Sequence, residues 1–255
     1  MNAIFSQETA ITFVLVLSRI GGVIIASPIF SSRSIPRKIK VILALVIALM
    51  VFPALPTVKN FPLQTAYMIY EIFSQLALGL LVGFAVTLLF AGLQAAGSII
   101  DFVMGFSMST VVDPSFNMNA SVVSRMYYFL ALILFLIMGG HHWIILGLIN
   151  SFKIIPIQAT PITPGLIDYI IRAFSDILLI AFNCAAPILI AIILVDVTAG
   201  FIARTAPKLN ILFITFPFKI ALGMFLLTAL LPTTLFVFGR WLSDLKSPLI
   251  RFFYI

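Results

Sequence analysis

Residues 66–100 read AYMIYEIFSQLALGLLVGFAVTLLFAGLQAAGSII, a run whose single formal charge is Glu71. A helix needs about 20 apolar residues to cross roughly 30 Å of hydrocarbon, so this run is too long for an upright span. It is also too apolar for a helix that faces water. Its Val and Ile content does not make it a strand, because it lacks the period-two alternation of the roughly ten-residue segments that build a membrane barrel. Small residues punctuate it at helical spacing: Gly79 and Gly83, then Gly92 and Ala96, then Gly97, Asp101 and Gly105. No hydrophobic effect drives helices together in lipid, and such faces let their backbones approach closely.

Five further apolar segments lie outward from this one, at 10–30, 41–56, 126–150, 177–203 and 209–239. Of the 255 residues, 62% are hydrophobic and 9% charged, against about a quarter charged in an ordinary soluble domain. The chain therefore reads as all-α, an integral membrane bundle of about six hydrophobic helical segments. Its connectors are punctuated by proline and charge: Arg33, Pro36, Arg37, Lys38 and Lys40 in the first, Pro56, Lys59 and Pro62 in the second, and Pro156, Pro161 and Pro164 in the fourth. A short polar helix with Asp168, Arg172 and Asp176 is expected to follow the fourth, and the tight turn Arg204 to Lys208 makes the last two segments a hairpin. The unequal segment lengths suit a tilted, protein-buried bundle. The N-terminus has no basic residue before its apolar run, so it reads as a retained first helix. Basic residues divide almost evenly between the two sides, and the compact basic connectors favour an outside N-terminus.

The 15 Lys and Arg against 8 Asp and Glu flank apolar runs, as insertion and anionic headgroups favour. They form no solvated basic face for nucleic acid. Cys184 is alone, which excludes an intramolecular disulfide or a cysteine metal cluster. His141 and His142 are adjacent, whereas zinc on one helix face wants histidines four apart; Gly139-Gly140-His141-His142-Trp143 reads as a helix bend or interface. Ser107 lacks the second glycine of a nucleophile elbow, and no Walker A or dinucleotide loop is present. The sequence thus points to no enzyme, cofactor or metal. Arg19, Glu71, Asp196 and Lys219 fall within or near apolar segments, where each charge costs about 2.5–3.5 kcal/mol on insertion scales. Two readings stay open: a set of ion pairs and capped carbonyls that lock helices, with Arg19 or Lys219 pairing Asp196, or a proton path through Glu71 and Asp196. Asp196, Gly200 and Arg204 form a second stripe with a spacing of four.

Between Asp101 and Arg125 the sequence combines Phe102, Met104, Phe106, Met108, Phe116 and Met118 with five serines and Asp113-Pro114. Pro114 disfavours helix at Asp113, so the chain should break there. Flexible Met and Phe side chains on a broken loop can serve as a deformable seal.

The order of several motifs resembles the FliR family and, more distantly, its counterpart in virulence type III secretion. They are Arg19, Pro28, Pro36 with Arg37 and Lys40, and Pro53; then Gly97-x-x-x-Asp101-x-x-x-Gly105-Phe106 with Asp113-Pro114; then Gly140-His141-His142, Ser151-Phe152 and Pro156. The C-terminal part adds Pro187, Asp196, Gly200, Arg204, Ala206-Pro207-Lys208-Leu209-Asn210, Phe213, Pro217, Lys219 and Gly223. The resemblance implies a structural and gating subunit of the flagellar export gate in the bacterial inner membrane, at the basal body, assembled with FliP and FliQ and wrapped by FlhB. FlhA, the basal-body ring, membrane lipid and unfolded export substrates complete the implied partners. It implies a FliP-like part over 1–165, a FliQ-like hairpin and tail over 166–255, and a pore plug built from Phe102, Met104, Gly105, Phe106, Met108, Asp113, Pro114 and Phe116. Gly79, Gly83, Gly97, Asp101 and Gly200 are expected to pack helices, and Arg204, Pro207, Lys208 and Asn210 to form a cytoplasmic turn. The rival readings are the equivalent injectisome subunit and a stand-alone secondary transporter, which predicts inverted repeats that the sequence does not display.

Overall fold

The computed structural model describes residues 7–32, 35–58, 61–62, 64–106, 121–158, 164–206, 208 and 210–251, with the backbone alone at 164–170, 172–173, 212 and 244–251. Regular structure among these residues is helical throughout. In order come α1 (Gln7–Ala26), α2 (Pro28–Ser31), α3 (Arg37–Val51), a 3-10 turn (Phe52–Ala54), α4 (Thr65–Met104), α5 (Val122–Ile137), α6 (Gly140–Ile154), α7 (Pro164–Thr205) and α8 (Ile211–Arg251).

Local chemistry sets the ends. Pro28 cannot donate a backbone hydrogen bond, and Ser27 before it is extended (φ −72°, ψ 130°), which separates α1 from α2. Pro53 likewise brings α3 to its end in the 3-10 turn. At the end of α4, Gly105 adopts a left-handed φ of 87°. Its N–H donates to Phe102 O at 3.2 Å, and Phe106 N–H donates to Asp101 O at 3.1 Å. This is the paired closure of a Schellman motif, which favours glycine at its left-handed position.

Besides the break at Ser27–Pro28 inside the 10–30 run, two segments differ from the hydropathy reading. The run 126–150 is two helices, because Gly139, with φ 74°, ends α5 and caps α6, its carbonyl accepting the His142 N–H at 2.9 Å. Conversely, the expected short polar helix is the opening of α7, which starts on Pro164 and continues without a break. Proline suits a first helical turn, and Asp168, Arg172 and Asp176 interrupt hydropathy without breaking helical geometry.

Gln7–Ala26, Thr65–Met104, Phe174–Thr205 and Phe213–Ser243 are long and apolar enough to cross a membrane, and the broken pair α5 and α6 passes the same test together. The chain is a membrane helical bundle. Its contacts divide it into two compact units, one of Met1–Leu88, Gly139–Ala173 and Asp244–Ile255, the other of Leu89–Met138 and Phe174–Ser243. The first unit has a core of Ile11, Leu15, Val58 and Phe61, with Tyr67, Met68, Ile72 and Ile157 packed against it. In the second, Phe90 meets Phe135 at 5.4 Å between ring centroids, Gly92 accepts the Ile180 side chain, and Gly223 accepts Met104.

Candidate functional site

The first unit is organised around Arg19. Gly22 on α1 and Gly79 and Gly83 on α4 bring the two backbones into contact: a Cβ at Gly79 would overlap the Arg19 carbonyl oxygen, and one at Gly22 would overlap the Leu76 carbonyl oxygen. Next to this crossing the Arg19 side chain is fully buried. Its Nε and Nη2 donate to Gln75 Oε1 at 2.8 and 2.5 Å, Nη1 donates to Ser151 O at 3.0 Å, and Nη2 donates to Ile155 O at 2.9 Å. The guanidinium also lies 4.2 Å from the centroid of the Phe152 ring. Ser151 and Ile155 sit at the end of α6, where the Ser151 carbonyl also accepts the Ile155 N–H at 3.0 Å and the helix dipole favours a cation.

Gln75 carries the network onward. Its Nε2 donates to Glu71 Oε1 at 2.7 Å, and the same oxygen accepts the Gln158 N–H at 2.9 Å. Gln158 has a φ of 79°, a left-handed conformation uncommon outside glycine, held by that hydrogen bond to a carboxylate that is 2% exposed. One amide thus separates a buried cation from a buried anion, and the set ties α1, α4, α6 and the turn after α6 together. The arrangement can join helices through these donors and acceptors.

In the second unit, Lys219 on α8 forms an ion pair with Asp196 on α7. Of the two partners proposed for Asp196, it is Lys219 that the structure places against it. The Asp196 side chain is 49% exposed, and the pair borders a 280 Å³ groove lined by Gly200, Ala203, Thr215 and Phe216. A Cβ at Gly200 would meet nothing within 4 Å. At the hairpin turn, Arg204, Lys208 and Asn210 are exposed; Pro207 lies outside the described residues.

Asp101 joins α4 to α5. Its buried carboxylate accepts the Ser121 hydroxyl, the Val123 N–H at 3.0 Å and the Ser124 N–H at 3.3 Å. A carboxylate at a helix start satisfies free N–H groups and complements the dipole. Gly97 meets the Ser124 backbone, and Ser124 Oγ donates to Gln94 O at 2.8 Å. Asp101→Ala removes three acceptor contacts and is expected to cost about 1–3 kcal/mol, while Asp101→Asn, which keeps one acceptor oxygen, costs less. Thermal unfolding of the two purified variants checks this, and equal stability of both with the parent chain would contradict the capping role.

The residues expected to form a seal are placed differently from one another. Phe102 is 73% exposed and Met104 is fully buried, packed over Gly223; Phe216 lies over Gly105, and Phe106 is half-buried. Met108, Asp113, Pro114 and Phe116 fall outside the described residues. The rings of His141 and His142 are 4.2 Å apart, and no group of three or more metal-binding side chains occurs among the described residues. Gln75 and Gln158 did not stand out in the sequence, and Ser121 did so only as one of the five serines between Asp101 and Arg125. Gln75 had a usable signal in being four residues after Glu71 on one helix face.

These features define a class: an all-helical membrane protein whose buried polar side chains join helix to helix. Residues 10–245 match the family model of bacterial export proteins, family 1, and the chain belongs to that family. It is 33% identical to the flagellar biosynthetic protein FliR of Escherichia coli, over 85% of this chain and 82% of that protein. With the flagellar biosynthetic protein FliR of Bacillus subtilis it shares 31% identity over 98% of this chain and 96% of that protein. With the Yop proteins translocation protein T of Yersinia pestis it shares 28%, over 89% and 88%.

Proposed function

We infer that this chain is a structural and gating subunit of the flagellar type III protein export apparatus, working in a membrane with other components of that apparatus. The observation that carries this is likeness to FliR proteins along nearly the whole chain. The flagellar reading stands ahead of the injectisome one because identity to the FliR proteins of Escherichia coli and Bacillus subtilis exceeds that to translocation protein T. In finer detail, the chain forms an export gate with FliP and FliQ in the bacterial inner membrane at the basal body, with FlhB at its entrance. Residues 1–165 act as a FliP-like part and 166–255 as a FliQ-like hairpin and tail. Large uncovered apolar area supports partnership: only 17% of the most apolar window of Phe213–Ser243 is buried within the chain, against 61% for Thr65–Met104.

Under this reading Arg19, Glu71, Asp196 and Lys219 lock helices and the 101–125 region closes the resting gate. Met104, buried over Gly223, anchors the seal, while exposed Phe102 is free to line it. A dry apolar constriction excludes ions without specific contacts. Deleting Ser107 to Val112 is expected to leave FliP- and FliQ-like proteins co-purifying with the chain while raising ion leakage and sensitivity to small toxic molecules. An assembled, export-competent deletion strain with unchanged conductance would return this stretch to an ordinary connector.

A further inference from the structure

We propose that the outward face of α3 is a lipid-binding surface, on which Lys38 and Arg37 hold anionic phospholipid headgroups and acyl chains lie along Ile42, Leu45, Val46 and Leu49. At 15 residues, or about 22 Å, α3 is too short to cross a bilayer. It packs against α1 and buries only Ala44, Ala48 and Val51. Around the rest of its circumference stand seven large aliphatic side chains, from Leu45 at 36% exposed to Met50 at 75%. An amphipathic helix would turn charges to that side if water covered it. Here the only charges of α3 are at its start.

Those charges match an anionic surface. Lys38, Ile42, Leu45, Val46 and Leu49 follow the spacing of one helix face, so a cation heads the apolar stripe. Lys40 is already engaged, donating to the Ser31 carbonyl at 2.9 Å. Arg37 and Lys38 are exposed and have no partner among the described residues, and the first turn of α3 contains no acidic residue. Cations at this end oppose the helix dipole, so they do not serve the stability of α3 itself. A lipid supplies what both halves of the surface lack: a phosphate for the cations and hydrocarbon for the aliphatic stripe. A neighbouring protein helix would match the stripe but would need an acidic residue at the same height.

The test uses the full chain with Cys184→Ser and a spin label at Leu49→Cys. It is reconstituted in phosphatidylcholine with and without phosphatidylglycerol, and then studied in the assembled export complex. In both settings the label is expected to collide with oxygen and to be shielded from a water-soluble nickel chelate. Preference for spin-labelled phosphatidylglycerol over phosphatidylcholine is expected to fall roughly fivefold for each of Lys38→Gln and Arg37→Gln. Unchanged lipid preference in the double variant would overturn the assignment. So would a label shielded from oxygen as well in the assembled complex, which would mean that a protein partner covers the face, or one open to the nickel chelate, which would mean that water does.

Discussion

Arg19→Met is expected to leave little folded protein. The substitution keeps an apolar stem of comparable length but removes the donors to Gln75, Ser151 and Ile155. The buried Gln75 amide oxygen then has no donor, at a cost of about 1–3 kcal/mol, the Ser151 carbonyl keeps only the Ile155 N–H, and the buried Glu71 carboxylate loses the nearby positive charge. Against the roughly 5–15 kcal/mol of total stability of a typical domain, losses of this size are a large fraction. Arg19→Lys should recover only a fraction, since an ammonium cannot reproduce the planar fork that reaches the amide and two carbonyls together or its stacking on Phe152. Arg37→Gln, at an exposed position, is expected to stay within about 0.5 kcal/mol of the parent. The measurement is thermal unfolding in detergent together with the monodisperse yield. A fully stable Arg19→Met chain would show that the network is incidental to the fold.

The membrane helical class was legible because composition alone forbids a water-facing surface, and segment boundaries were legible at Pro53 and Pro164, whereas the 10–30 run passed through Pro28, where the structure separates α1 from α2. Hydropathy is blind to backbone conformation, which is why 126–150 read as one run although Gly139 turns the chain within it. It is equally blind to helix continuity, so the charges of 168–176 looked like a separate element. The site was half legible. Arg19, Glu71, Asp196 and Lys219 announce themselves, because a charge in an apolar run demands an explanation. Their partners do not, because most are neutral: a glutamine amide, two backbone carbonyls and one backbone N–H. Backbone groups exist at every residue, and only the fold decides which of them lie within reach of a guanidinium. Pairing followed the same logic, since Asp196 had two cations to choose from and the hairpin placed Lys219 against it.

The glycines separate packing within the chain from packing against something else, and substitution should expose the difference. Gly79→Ala is expected to be severely destabilising. Its methyl group would coincide with the Arg19 carbonyl oxygen, which is backbone and cannot swing aside, so α1 and α4 would have to part, at a cost of about 1–3 kcal/mol or more for overpacking. That movement would also draw Arg19 away from Gln75, so the loss should exceed the steric term and resemble a mild form of Arg19→Met. Gly200→Ala meets open space on a helix, where alanine is favoured over glycine by about 1 kcal/mol, and the purified chain should be unharmed or slightly more stable. The informative comparison is export in cells. If Gly200→Ala keeps a stable chain but impairs co-purification with FliP- and FliQ-like proteins, the Asp196, Gly200 and Arg204 stripe is a contact face completed by another subunit. If Gly200→Ala exports normally, and Gly200→Leu does too, the stripe faces only solvent or lipid and the small-residue spacing there carries no assembly role. For Gly79, a stable and well-folded alanine variant would overturn the account of how α1 and α4 are held together.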